Sequence, residues 1–367
     1  MKLRVLIGQP ASTEGRCALD NRPLPTDSGP PAEFHRWPLP GYVWPALERC
    51  YASIFCSEPL LRIHQALTSR IEAWVARDDG TITTLILFER VHGCAEVINQ
   101  VFTLNAAHLQ AFSRAVFAQY PQLTAVRLRA TALRREGSPA STADYPCLVA
   151  PRSDDYLLEL PDDHDSWLAS LSAQTRDKIR YHWRRAQRRQ PTLRFRIVHA
   201  PMIDEADVRK VIDYSRARQH SKGKRFGMGP QEERRLCALM LERGQLSLLE
   251  IDNEIRAGLL CTHAGDDLMM HVIAHDPAYN DLRLGFLCCA MTVQNAIEQG
   301  RARFHFLWGH YDYKVRLGAK RVELSEVLLL RARCAALLHP QRVLAQCQLW
   351  LRAVVRQCRQ GLATRVA

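Results

Sequence analysis

Long hydrophobic runs are missing from this 367-residue chain. The apolar residues at the N-terminus end at Gly8, which leaves too few of them for a secretory signal. No uninterrupted apolar stretch elsewhere reaches the length that a bilayer-spanning helix requires. We therefore expect a cytoplasmic protein, and a peripheral position at the inner face of the cell membrane is the second option.

Closely spaced cysteine pairs are also missing. The chain has 12 cysteines, but none of them follows the Cys-x-x-Cys spacing that zinc ribbons use. We expect free and mostly buried thiols, as in a reducing compartment. His263, His271 and His275 offer three imidazoles but no obvious carboxylate partner, so no metal site is predicted.

Acidic residues are too few to balance the basic ones. The chain has 50 Lys and Arg against 38 Asp and Glu, which gives a formal net charge of +12 and a pI near 9.3. This surplus predicts an anionic partner, either coenzyme phosphates, nucleic acid or an anionic membrane surface. The hydrophobic fraction of 47% is typical of a globular protein, and the length allows two domains.

Proline, in contrast, is concentrated near the N-terminus. Eight prolines lie between residues 8 and 45, namely Pro10, Pro23, Pro25, Pro30, Pro31, Pro38, Pro40 and Pro45. Because proline has no backbone N–H and a fixed φ, this density disfavours both helices and sheet ladders. We predict that residues 1–45 form an extended or disordered tail without chemistry of its own.

Two stretches of the chain repeat one order of predicted elements. In residues 46–153, a helical region precedes a hairpin at 71–88, a third strand, a helix capped by Asn105 and a returning strand. In residues 154–335, three strands at 246–251, 255–263 and 268–274 precede a helix that ends at Gly300 and a returning strand. We predict an α/β protein with two tandem domains, followed by a basic amphipathic helix within residues 336–367.

Several short strings in the second stretch resemble a known family. They are DLRLGFL at 281–287, EQG at 298–300, FHFLWG at 304–309 and YK at 313–314. Together they resemble the GNAT acetyltransferase superfamily. More narrowly, they are similar to a branch associated with cellulose and polysaccharide biosynthesis, which is related to the Fem-type aminoacyl-tRNA-dependent transferases. The resemblance covers about residues 46–330 and implies two tandem GNAT-like folds with mixed central sheets flanked by helices.

The turn before the second helix is the predicted donor site. A helix start offers unpaired N–H groups, Arg283 adds a cation, and Gly285 allows close approach, with Leu284 and Phe286 beside it. The resemblance implies that Ile273 and Ala274 line the edge along which acetyl-CoA or another acyl-CoA would lie. Familiar GNAT phosphate loops are longer and carry a second glycine, which is absent here. The alternative to a donor site is an ordinary strand-to-helix turn, in which Gly285 serves only tight packing.

Four side chains are candidates for proton transfer. His271 and His275 could act as bases, because an imidazole titrates near neutral pH, and strand alternation would place both on one face with Ile273. Tyr313 could protonate the leaving thiolate, and Glu250 is the reserve base. The alternative for each histidine is a core or rim position with satisfied hydrogen bonds.

Tyr311, Asp312 and Lys314 are the predicted substrate-binding residues, because they follow the last core strand at the mouth of the predicted cleft. The alternative for Lys314 is a structural ion pair with Asp312 or Glu323.

Basic residues form a further pattern in residues 166–190, for which two short helices that end before Pro191 are predicted. Arg176, Arg180, Arg184 and Arg188 recur every four residues and so share one helix face. Such a face is usually solvated, and tRNA or an anionic glycan is the alternative partner. The basic helix at 341–360 has a similar alternative, which is peripheral contact with an anionic membrane.

The leading hypothesis for function is acyl transfer from acetyl-CoA or another acyl-CoA. The acceptor would be an amine or hydroxyl of an envelope- or polysaccharide-related molecule. Two rivals remain: a Fem-like transferase that uses charged tRNA, and a catalytically silent scaffold that keeps the GNAT fold.

Overall fold

A computed structural model describes residues 32–134, 145–223 and 225–331. The described residues fall into two compact units. The first unit contains residues 32–154 and 322–331, and the second unit contains Asp155–Arg321. Residues 1–31 of the predicted tail and the predicted helix at 341–360 lie outside the described residues.

The first unit is built on a mixed sheet with the strand order β1-β2-β3-β4-β6-β13 and with β5 paired to β6. Its hairpins pair antiparallel, whereas β4 and β5 both run parallel to β6. The strands are β1 (Ala32–Arg36), β2 (Ile71–Asp78), β3 (Thr81–Val91), β4 (Cys94–Val97), β5 (Phe102–Asn105) and β6 (Ala125–Arg134), together with most of β7 (Cys147–Glu159) and of β13 (Lys320–Leu330).

Three α-helices and one 3-10 helix, Ile54–Cys56, accompany this sheet. The α-helices are α1 (Val43–Tyr51), α2 (Glu58–Ile63) and α3 (Ala106–Gln119). The predicted cap of α3 is confirmed, because the Asn105 side chain accepts a hydrogen bond from the His108 N–H at 2.7 Å. Trp74, Phe88 and Phe112 are fully buried at the centre of this unit's core.

The sheet strands of the second unit follow the order β7-β12-β11-β10-β9-β8. All neighbours pair antiparallel except β11 and β12, which run parallel. The strands that lie entirely in this unit are β8 (Arg194–His199), β9 (Gly244–Ile251), β10 (Glu254–Ala264), β11 (Asp267–His275) and β12 (Arg303–His305).

Helices cover both faces of the second sheet. The helix α8 packs on one face with α4 and α5, and the helices α6 and α7 pack on the other. The helices of this unit are α4 (His164–Ser170), α5 (Ala173–Arg189), α6 (Glu205–Ser221), α7 (Pro230–Arg243), α8 (Leu284–Glu298) and α9 (Asp312–Arg316), with a 3-10 helix at Pro277–Leu282. The predicted end of α8 is confirmed, since Gly300 has a φ of +66°.

The predicted fold class, α/β with tandem domains and mixed sheets flanked by helices, is confirmed. Two details differ from the predicted boundaries. Residues 32–36 form β1 and pair with β2, because this segment contains no proline, and Pro45 lies in the first turn of α1, where a missing N–H breaks no bond. The strand at 322–330 was assigned to the second domain, but its residues Ser325–Leu330 pair with β6 of the first unit.

None of the described helices has the length and apolar character needed to cross a bilayer.

Candidate active site

Two strands of the second unit part from each other at the centre of the sheet. β11 and β12 pair over only three residues, which end at Met269 and His305. Beyond that point the Phe306 N–H donates to the Tyr156 carbonyl at 2.8 Å, so the chain follows β7 instead of β11. The space between residues 270–275 and residues 306–308 is called the wedge below. Among the described residues, no strand pairs with β11 along this edge, so the edge is suited to hydrogen-bond an extended ligand.

The wedge has two walls, residues 270–275 of β11 and residues 306–308. Lys314 holds the second wall, residues 306–308, in place. Its Nζ donates to three successive carbonyls, those of Phe306 and Leu307 at 3.0 Å and that of Trp308 at 2.7 Å. The side chain is 1% exposed and lies 5.2 Å from the Tyr156 ring. The predicted substrate contact of Lys314 is therefore corrected: an ammonium group has three N–H donors, and the carbonyls of this loop use them.

The N-terminus of α8 lies at the open end of the wedge. The preceding residue, Arg283, adopts a left-handed conformation with φ +57° and makes no side-chain cap. Within the described residues, the N–H groups of Leu284, Gly285 and Phe286 have no backbone acceptor, as is normal for a first helical turn. Leu284 is fully buried.

His275 covers the start of α8. A Cβ atom on Gly285 would lie 3.0 Å from His275 Nδ1, so the glycine makes room for this imidazole ring. His275 Nε2 donates to Asn280 Oδ1 at 2.8 Å, which leaves Nδ1 buried and without a partner among the described residues. Gly285 therefore allows the His275 ring to pack at the place where a phosphate would approach the backbone.

The turn that leads into α8 contains no glycine between residues 276 and 283. It forms a 3-10 helix and carries two carboxylates. Asp276 pairs with Arg256 at 3.1 Å, and Asp281 pairs with Arg185 at 3.3 Å and with Arg189. This turn lacks the run of exposed amides that cradles a pyrophosphate, and its carboxylates would repel one.

Cations nevertheless surround the start of α8. Burial lowers the pKa of His275, its bond to Asn280 opposes that shift, and Arg218 and Arg283 lower the pKa further. Burial also lowers the pKa of His182 on α5, with contributions from Arg283, Arg185 and Lys178. Both imidazoles are therefore neutral at pH 7 and stand in a positive field.

His271 does not share a face with His275, contrary to the prediction. In the β10–β11 ladder, Val272 lies opposite Leu260 and Met270 lies opposite Cys261, so His271 is the extra residue of a β-bulge. The bulge reverses the alternation: Met270 packs on the α8 side and Val272 on the α6–α7 side. His271 Nε2 is hydrogen-bonded to the buried Thr262 hydroxyl at 2.7 Å, which fits the alternative of a satisfied core histidine.

The other residues predicted along the β11 edge divide between the two faces. Ile273 packs on the α8 side and is partly buried. Ala274 is fully buried on the α6–α7 side. Phe286 is partly buried against the α8-side core. Their role in donor binding stays a prediction.

Tyr311, Asp312 and Tyr313 lie just beyond the second wall. Tyr311 is 56% exposed, and Asp312 is exposed and lies 3.7 Å from Arg316. The Tyr313 ring packs edge-on against Phe306. Burial raises the pKa of Tyr313 well above its ordinary value, so the phenol keeps its proton. These residues remain candidates for contact with substrate or leaving group.

Glu250 is not placed to act as a base in the wedge. It lies on β9, which β10 separates from β11. Its carboxylate accepts two hydrogen bonds from Arg196, at 2.9 and 2.7 Å. The prediction of a reserve base is corrected, because the carboxylate forms an ion pair with this arginine of the edge strand.

A buried ionic cluster lies at the vertex of the wedge, and the sequence interpretation missed it. His305 Nδ1 contacts Asp155 at 2.5 Å, and its Nε2 contacts Asp267 at 2.9 Å. Although burial disfavours the imidazolium, these two carboxylates raise the pKa of His305 to about 9. Asp267 also accepts a hydrogen bond from Arg303 at 2.9 Å. The cluster ties β7, β12 and β11 together where the two strands begin to part. The sequence signal was a histidine between two phenylalanines, Phe304 and Phe306.

The predicted arginine stripe on α5 divides into two groups. Arg176 binds the carbonyl of Leu171 at 2.5 Å and so ties α5 to the end of α4. In contrast, Arg180, Arg184 and Arg188 are exposed and have no acidic partner in the part of the chain that the structure describes. α5 is fastened to the turn before α8 by the pairing of its other arginines with Asp281.

No three His, Cys, Asp or Glu side chains within residues 32–134, 145–223 and 225–331 are arranged to hold a metal ion.

Comparison with known proteins identifies one domain. Residues 173–315 match the family described as Acetyltransferase (GNAT) domain. No curated protein matches the sequence. Among solved structures, FemX is similar with a TM-score of 0.58 at 12% identity, over 83% of this chain and 99% of FemX.

Two further structures share the fold at 13% identity each. L-PGS from Bacillus licheniformis has a TM-score of 0.51 and is matched over 86% of this chain and 98% of its own. A conserved protein of unknown function from Bacteroides thetaiotaomicron has a TM-score of 0.51 over 79% of this chain and 96% of its own. At such identities the likeness concerns the fold alone. Residues 173–315 of this chain therefore match a GNAT acetyltransferase domain, and the fold that surrounds them is similar to that of FemX.

Proposed function

We propose that this protein transfers an aminoacyl group from charged tRNA to an amine or hydroxyl acceptor, and that the wedge holds the ester. The main support for this proposal is a row of three arginines on α5, namely Arg180, Arg184 and Arg188. These exposed arginines lack acidic partners among the described residues and lie on the helix that is fastened to the turn at the wedge. Residues four apart on a helix are about 6 Å apart along its axis, so the row can follow a phosphate backbone.

The turn before α8 supports a donor without a pyrophosphate. The residues 276–283 contain no glycine that would let backbone amides surround two phosphates, Asp276 and Asp281 add negative charge there, and His275 covers Gly285. The aminoacyl end of a tRNA needs no such cradle. The resemblance to Fem-type transferases and the structural likeness to FemX point the same way.

The chemistry required is direct transfer. The acceptor nitrogen or oxygen attacks the ester carbonyl carbon, the bond to the ribose oxygen breaks, and the acceptor's proton ends on that oxygen. The edge of β11 that has no neighbouring strand among the described residues is suited to polarise the carbonyl, and the loop fixed by Lys314 keeps the second wall apart from β11. Positioning and polarisation of this kind account for much of the rate in acyl transfer.

A second candidate is transfer from acetyl-CoA or another acyl-CoA, with an envelope- or polysaccharide-related acceptor. The match of residues 173–315 to an acetyltransferase family and the free N–H groups at the start of α8 favour it. Thermal unfolding separates the two donors: bulk charged tRNA should raise the midpoint at low salt and lose the effect steeply as salt rises, while acetyl-CoA should leave it unchanged. A midpoint raised by acetyl-CoA alone would favour the second candidate.

Removing the arginine row tests the proposal directly. We expect replacement of Arg180, Arg184 and Arg188 together by glutamine to weaken binding of charged tRNA about 10- to 100-fold at 0.1 M salt. The slope of log affinity against log salt should fall by about 2 to 3, because three phosphate contacts no longer release counterions. Filter binding or fluorescence anisotropy over a salt series measures both quantities.

The matched control removes the same charge elsewhere. Arg62, Arg70 and Arg114 are exposed arginines of the first unit, and their joint replacement by glutamine should leave the salt slope nearly unchanged. If both triple variants lose affinity equally, general net charge rather than this helix binds the tRNA.

A further inference from the structure

Arg218 occupies an unusual position on α6. The face of α6 that packs on β10 and β11 carries Val208, Val211 and Ile212, all fully buried. Arg218 falls seven residues after Val211 and therefore continues this face by two further turns. It is half-buried rather than exposed. A guanidinium thus stands where the pattern of the helix calls for a core residue.

The carboxylates around Arg218 are already engaged. Arg209, Lys210 and Arg216 of the same helix each pair with an acidic residue. Asp276 pairs with Arg256, and Asp281 pairs with arginines of α5. In the described ranges, the guanidinium of Arg218 has no hydrogen-bond or ion-pair partner. A half-buried cation without a counter-charge is costly, so its retention calls for an anionic ligand.

The charge of Arg218 acts on groups in both walls of the wedge. Burial is the main influence on the pKa of His275, at the end of β11, and on that of Tyr313, which packs on Phe306 of the second wall. In each case the guanidinium of Arg218 also acts on the group and lowers its pKa. α6 itself packs on β11 and on the 3-10 helix before α8. These contacts put Arg218 at the open end of the wedge.

We propose that Arg218 binds a carboxylate or phosphate group of the acceptor at the open end of the wedge. This inference rests on the proposed transfer function and narrows the acceptor to an anionic amine or alcohol. The guanidinium suits either anion, since its planar fork gives two parallel hydrogen bonds to a carboxylate or a phosphate. The same chemistry could come from a phosphate near the end of the donor, and the experiment separates these two sources.

The acceptor arm compares small amines that differ in charge. With bulk charged tRNA as donor, ethanolamine, glycine and phosphoethanolamine serve as acceptors, and the new amide is quantified by mass spectrometry. We expect Arg218→Gln to lower kcat/KM about 10- to 100-fold for glycine or phosphoethanolamine, and to leave ethanolamine unaffected. Arg218→Lys should recover part of the loss, because it keeps the charge without the fork.

The donor arm measures the affinity of charged tRNA for the same variants. If Arg218→Gln weakens tRNA binding and leaves the acceptor preference unchanged, the anion belongs to the donor, and the acceptor assignment is overturned. Arg209→Gln is the matched control, since Arg209 is an exposed arginine of the same helix that pairs with Glu205.

Failure of the proposed function can be told apart from failure of this inference. If no transfer from tRNA occurs, the readout becomes the thermal shift caused by phosphoethanolamine. A shift that is present in the wild type and in Arg209→Gln but absent in Arg218→Gln supports the anion site. Equal behaviour of the two variants in every assay overturns it.

Discussion

Lys314→Met is expected to destabilise the second unit by about 3 to 5 kcal/mol, because three buried or half-buried carbonyls lose their donor at once. Methionine keeps most of the aliphatic volume, so the loss reports on the ammonium group rather than on a cavity. The midpoint of thermal unfolding should fall by about 6 to 15 °C. Calorimetry or circular dichroism at one pH measures it.

Lys320→Met is the control for this change, since Lys320 is an exposed lysine six residues later. It should shift stability by no more than about 0.5 kcal/mol. The prediction also separates two roles of Lys314. If Lys314→Met keeps the stability of the wild type but loses donor or acceptor binding, the lysine contacts substrate, and the structural role derived from its three carbonyl bonds is wrong.

His305→Gln is the second change with a large expected effect. It removes the cation between Asp155 and Asp267 and leaves two buried carboxylates facing each other, which should cost about 3 to 5 kcal/mol near pH 7. His220→Gln, at an exposed position of α6, is the control and should change stability little. Urea unfolding of the three proteins at one pH tests this prediction.

The stabilisation that this cluster gives depends on pH, and the direction of the His305 pKa shift determines how. The pKa of His305 is raised to about 9 in the folded protein, above the ordinary value of 6.5. The stabilisation is therefore complete below pH 6.5 and is lost as the pH rises towards 9, up to about 3 kcal/mol in all. His305→Gln should lose this alkaline slope. An identical slope in wild type and variant would show that His305 is not charged in the folded state.

Local patterns in the sequence predicted much of the fold correctly. The hairpin β2–β3, the Asn105 cap and the Gly300 stop each depend on residues a few positions apart, so they can be read from the chain itself. The order of strands and helices around α8 was predicted for the same reason. The splayed pair β11 and β12 was implied by the family resemblance rather than by any spacing.

The details of the site could not be predicted because they depend on distant parts of the chain. One inserted residue at the β11 bulge moved His271 to the other face of the sheet. The prediction assumed strict alternation of side chains along the strand, and that assumption cannot reveal a bulge. The cluster of Asp155, Asp267 and His305 joins positions that are up to 150 residues apart. Lys314 is bound by backbone carbonyls, which every residue has, so no side-chain pattern could reveal its partners.

Binding of a stable aminoacyl-adenosine analogue tests the central claim most directly. A crystal structure with an adenosine whose 3′-oxygen is replaced by an amide-linked amino acid would locate the acyl group. We predict that its carbonyl lies between residues 270–275 and 306–308, against the free edge of β11. Electron density for the analogue outside this wedge, or a wedge that admits acetyl-CoA and not the analogue, would contradict the account.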